Sequence, residues 1–158
     1  MAVSTKRFAI LVSIIVIVVI AVFSWIKLIQ YTWEDSRTVI HKTITEIDIL
    51  NVKATTVTYV RNGESVKVEN HEIALTQEEI HQLIQLFNNV QENRVFAVPS
   101  VKSNIVLGIL ITMVDRTQVR IQYDSTDVYV TRTDKSSTTY KVEQEELKSF
   151  IEELKNHN

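Results

Sequence analysis

Cysteine is absent from the 158 residues, glycine occurs twice and proline once. Without cysteine there is no disulfide, no thiolate metal site and no lipid-modified cysteine to hold the chain on a membrane. Gly63 and Gly108 are too few and too far apart for a phosphate-cradling loop, a dinucleotide fingerprint or a nucleophile elbow. Each of those motifs needs glycines clustered where backbone and ligand approach closely. Sequons for N-glycosylation are missing as well. One long stretch also lacks charge: the nineteen residues from Phe8 to Ile26 hold no ionisable side chain.

That stretch predicts a membrane span. At about 1.5 Å per residue, a helix of this length measures roughly 28 Å, close to the ~30 Å of a bilayer's hydrocarbon core. The run is rich in β-branched residues, from Ile14 to Ile20, which favour strands in water. In lipid a lone strand would leave its backbone polar groups unpaired, so a helix is expected. Ser13 and Ser24 are too weakly polar to outweigh fourteen Ile, Leu, Val and Phe residues. A cleaved signal peptide is the rival reading, with Lys6 and Arg7 as its basic start. The apolar run is too long for it, and Phe23 and Trp25 stand where small cleavage-site residues belong. Basic residues nearly balance across the span: Lys6 and Arg7 before it, Lys27, Arg37 and Lys42 after it. The short tail favours an amino terminus inside, with Trp25, Tyr31 and Trp33 as the aromatic belt of the far interface.

The expected organisation is a basic tail over 1–7, a transmembrane helix over 8–29, a juxtamembrane linker over 30–45 and an extracytoplasmic domain over 46–158. Residues 31–158 carry fourteen basic against nineteen acidic residues, a balance of −5 with histidine neutral. Such a domain lacks the basic footprint that nucleic acid demands.

Within the domain, Glu46 to Leu50 alternates as a first strand. Thr55 to Arg61 and Glu64 to Glu69 read as a hairpin turning at Asn62 and Gly63, with the positive φ angles of a type I′ turn. Leu75 to Asn89 reads as a helix: Thr76 and Glu79 form a capping box, Leu75 and Ile80 a hydrophobic staple. Ile80, Leu83, Ile84 and Phe87 supply its apolar stripe. A loop with Pro99 leads to Ile105 to Val114, a strand apolar on both faces, then strands at Gln118 to Tyr123, Asp127 to Thr133 and Thr138 to Val142. Gln144 to Lys155 closes the chain as a second amphipathic helix, with Leu147, Phe150, Ile151 and Leu154 as its stripe. The fold class is therefore α+β, a mainly antiparallel sheet with two amphipathic helices packed on it.

Candidate chemistry is sparse. His71-Glu72 begins like a zinc-protease helix, but Leu75 occupies the second ligand position. His81, Glu78 and Gln85 share a helix side that can gather one metal ion, and an exposed polar face is the simpler reading. Asp124 and Asp127 lack the spacing and the turn glycine of a calcium loop. The pairs Glu78-Glu79, Glu145-Glu146 and Glu152-Glu153 read as solvated helix faces, since carboxylate catalysis needs two groups facing across a cleft. Ala9 and Ser13 form a small-xxx-small pair, a weak helix-association signal. The feature with most functional edge is the strand from Ile105 to Val114. If its second face, Val106, Leu110 and Val114, is partly open, it docks a protein partner; the simpler reading is a central strand covered by helices on one face and by a loop or the linker on the other.

In layout, and in stretches such as Leu75-Thr76-Gln77-Glu78-Glu79-Ile80 and Leu147 to Leu154, the chain resembles the small membrane-anchored extracytoplasmic proteins of low-GC Gram-positive bacteria. The resemblance spans the whole chain without a diagnostic motif and transfers no functional residue. The expected function is a noncatalytic binding or accessory module at the outer face of the cell membrane. Its expected partners are the bilayer and an envelope or membrane protein, with no cofactor and no catalytic or metal residue assigned. Two alternatives stand beside it: a metal-dependent or carboxylate-based envelope enzyme, and a structural subunit of a membrane complex.

Overall fold

The computed structural model describes residues 15–27, 43–101, 104–134 and 138–156. The chain divides into two units, Met1–Glu34 and Asp35–Asn158. The basic tail, the start of the apolar run with Ala9 and Ser13, and residues 30–42 of the linker, with Tyr31, Trp33, Arg37 and Lys42, lie outside the described residues.

In the first unit, residues 15–27 form a helix, α1, whose residues are all exposed. At about 1.5 Å per residue it accounts for about 20 Å, short of a hydrocarbon core. Among the described residues no helix is long and apolar enough to cross a membrane. The expected crossing over 8–29 extends beyond this helix at both ends.

The second unit is α+β. Its strands are β1 (Ile49–Asn62), β2 (Ser65–Ile73), β3 (Val95–Val98), β4 (Leu107–Met113), β5 (Gln118–Tyr123), β6 (Val128–Arg132) and β7 (Thr139–Val142). They form one seven-stranded sheet in the order β2-β1-β4-β5-β6-β7-β3, with every neighbouring pair antiparallel. Its helices are α2 (Gln77–Asn88) and α3 (Glu145–Asn156).

A single row of side chains explains the packing. Ile73, Ala54, Ile109, Ile121, Val130, Tyr140 and Ala97 stand opposite one another in register across all seven strands. Residues directly opposite share a face, and most of this row belongs to the core together with Leu83, Ile84 and Phe87 of α2 and Leu147, Phe150, Ile151 and Leu154 of α3. The helices cover one face because their apolar stripes, spaced as the helical repeat requires, meet the alternate residues of the strands. The next row, on the opposite face, reads Glu72, Thr55, Gly108, Gln122, Tyr129, Lys141 and Phe96. It is mostly polar, as expected of the face away from the helices.

The capping box at Thr76 and Glu79 is present, and Leu75 and Ile80 both pack against the core. Four local expectations need correction. Glu46–Asp48 is a 3-10 turn, and the first strand runs unbroken over 14 residues from Ile49 to Asn62. Ile47 points outward, so the short Ile47–Ile49 alternation does not mark a buried face. The hairpin turn sits one residue later than expected: Asn62 pairs with Ser65, and Gly63 has φ +63 with no positive φ at Glu64. Positive φ at the first loop residue alone is the type II′ pattern. Val95–Val98, expected as loop, is an edge strand beside β7 that ends at Pro99. Finally, Ile44 is 1% exposed within the core, so the domain begins inside the expected linker.

Candidate functional site

The docking residues expected from the sequence sit in three different settings. Val106 packs against the core cluster. Leu110 is half-buried on the opposite face, in register between Lys53 and Arg120. Val114, 62% exposed, lies in the turn after β4, where its N–H donates to the Asp48 carbonyl at 2.8 Å. β4 itself alternates fully buried with half-buried positions, which explains why its sequence reads as apolar on both faces.

The other candidates resolve into local structure. His81 Nδ1 contacts the Glu46 carboxylate, and its Nε2 lies 2.7 Å from Gln85 Nε2. Among the described residues no group of three or more His, Asp or Glu side chains is placed to hold a metal ion. Asp124 shapes a turn: Oδ1 accepts the N–H groups of Thr126 and Asp127 at 2.9 and 2.8 Å, and Oδ2 accepts the Tyr129 hydroxyl at 3.1 Å. This Asx arrangement holds Ser125 at φ 77.

One concavity was not singled out by the sequence. A cleft of about 710 Å³ lies where the end of α2 (Leu86, Asn89), Arg94, the β5–β6 turn (Thr126, Asp127) and the start of α3 meet. Among its lining residues, Lys141 Nζ sits between Asp127 Oδ1 at 3.0 Å and Glu143 Oε1 at 3.1 Å. Chain topology assembles this group: Lys141 is opposite Tyr129 on β6, and Asp127 immediately precedes that strand. Hydrogen bonds to Asp127 and then Glu143 raise the lysine's pKa above its ordinary value, against a smaller opposing effect of burial. The ammonium is therefore held charged, and Lys141 is unsuited to act as base or nucleophile. Gln144 opens α3, with its carbonyl accepting the Lys148 N–H at 3.1 Å, while its buried Oε1 has no hydrogen-bond partner among the described residues. Arg94 and Lys148, with Glu145 and Glu146, complete a rim of both signs.

Sequence reading missed the cleft because Asp127, Lys141 and Gln144 each belong to a different local motif. The one available signal was the Lys141-Val142-Glu143-Gln144 run, in which polar residues cluster between a strand and a helix.

No protein-family model, curated protein or solved structure matches this chain.

Proposed function

We propose that the chain is a noncatalytic binding or accessory module, tethered by its amino-terminal apolar helix to the cell membrane with its α+β domain on the extracytoplasmic side. The tether reading rests on the uncharged run from Phe8 to Ile26 and on the exposed apolar side chains of α1. A helix apolar on nearly all sides is suited to a solvent of lipid. Carbonate extraction tests it: the chain should stay with the membrane pellet, and release into the supernatant would overturn the assignment. Protease added to spheroplasts should digest the domain; full protection would place it on the other side.

Binding is assigned to the cleft beside α3, and the observation that carries it is Lys141 fixed between Asp127 and Glu143. Ionisable groups already compensated by one another give a polar surface of fixed donors and acceptors. They recognise shape and hydrogen-bonding pattern, and they are poorly placed to move protons. The Gln144 side chain lines the same cleft, next to these groups in the chain. A polar segment of an envelope protein has that chemistry. The test is affinity purification of the full-length protein from its native membrane beside a Lys148→Glu, Gln144→Leu variant with unchanged circular dichroism. A partner recovered with the wild type and lost with the variant supports the reading; equal recovery removes the cleft from it.

A further inference from the structure

The sheet ends on an edge that is unusually long and bare. β2, 9 residues long, pairs only with β1 among the described residues, and seven of its nine positions are exposed. Beyond Thr56 the β1–β2 ribbon has no further β4 register partner. Val66 and Val68, 59% and 51% exposed, stand on one side of this ribbon beside Arg61 and Tyr59.

The direction of the free backbone groups follows from the turn. A two-residue loop makes the flanking pair, Asn62 and Ser65, exchange both hydrogen bonds, and every second pair along the ladder does the same. On β1 the intervening residues therefore bond toward β4, as the Val57 N–H does in donating to the Val106 carbonyl at 2.9 Å. On β2, the N–H and C=O groups of Val66, Val68, Asn70 and Glu72 face outward, away from β1.

We infer that this edge pairs with the same edge of a second copy, antiparallel and centred on Val68, joining two sheets into one. Two-fold antiparallel pairing places residue i opposite residue j of the same parity, so few registers are possible. Centring on Lys67 or Glu69 sets like charges face to face. Centring on Val68 sets Val68 against Val68 of the second copy and Lys67 against Glu69 of the second copy, twice over by symmetry. Val66 then stands opposite Asn70, and all three use their outward-facing N–H and C=O groups. Only Glu64 and Glu72 meet as like charges, at the frayed ends. In the single chain Lys67 Nζ already reaches Glu69 Oε1 at 2.8 Å, so both charges project from the same side of the strand and are in place for the exchange.

The absence of cysteine makes the register measurable. Full-length Val68→Cys, solubilised in mild detergent and treated with a mild oxidant, should form a disulfide-linked dimer, since opposed residues of a bonded pair have Cα atoms about 5.5 Å apart. Glu72→Cys should not, because the two thiols would lie about 26 Å apart at roughly 3.3 Å per residue. In sedimentation equilibrium, Lys67→Glu should weaken association by roughly tenfold, and adding Glu69→Lys should restore it. A misfolded variant would not be rescued in that way. No crosslink at position 68, equal crosslinking at position 72, or a charge exchange that fails to restore association would overturn the inference.

Discussion

Asn88 grips the backbone of Ile44 from both sides: Nδ2 donates to the Ile44 carbonyl at 2.8 Å and Oδ1 accepts the Ile44 N–H at 2.9 Å. The side-chain amide completes a short rung between the entering chain and the end of α2, and it fixes Ile44 in the core. Replacing Asn88 by Ala leaves both partly buried backbone groups without this partner, at an expected cost of about 1–3 kcal/mol. Asn88→Asp should not rescue, since a carboxylate has no donor for the carbonyl. Urea unfolding followed by circular dichroism checks both, and a wild-type midpoint for Asn88→Ala would show that water replaces the clamp.

The cap of α2 allows a finer comparison. The Thr76 hydroxyl accepts the Glu79 N–H at 3.2 Å, and the Thr76 N–H donates to Glu79 Oε2 at 2.7 Å. Thr76→Ala should lower stability by about 1 kcal/mol and Thr76→Ser by much less, because serine keeps the capping oxygen. Equal losses would point to the methyl group instead.

Neighbouring residues of β5 should differ sharply. Ile121 is fully buried in the row that crosses all seven strands, whereas Arg120 beside it is exposed on the other face. Truncating Ile121 to Ala should cost about 2–5 kcal/mol. Arg120→Ala should stay within about 0.5 kcal/mol of the wild type. Comparable losses at the two positions would mean that the polar face is covered.

Alkaline pH should weaken the domain. Burial, followed by the hydrogen bond to Glu152, raises the Tyr123 phenol above its ordinary pKa, so its proton is held more tightly in the fold. The unfolded chain releases that proton near pH 10. Above this the folded state binds more protons than the unfolded one, and stability falls as pH rises. Lys141, raised by Asp127 and Glu143, acts with the same sign. Tyr123→Phe should flatten the decline above about pH 10. An unchanged slope would assign the decline to other groups.

Much of the domain was readable because its signals are local. The Thr76–Glu79 box, the two apolar stripes and the run from Gln118 to Tyr123 mark their elements to within a residue or so. Misreadings arose where the signal was short or shared. Val95–Val98 has four residues at a sheet edge, with only Val95 fully buried. In β1, Asn51 and Lys53 interrupt the apolar pattern of a single continuous strand. The cleft was not legible at all, since the Asp127–Lys141 contact depends on how β6 and β7 pair.

Sequence alone determined the α+β class, the helix stripes and the strand alternation, because hydrophobic periodicity and capping act within a few residues of the chain. It also determined the absence of cysteine-based and glycine-loop chemistry, which is a matter of which residue types are present. Tertiary structure alone decided that β1 lies between β2 and β4, that β3 closes the far edge, and that Lys141 meets Asp127 and Glu143. Those relationships depend on strand order and register, which are settled by packing between segments distant in the chain and leave no local trace.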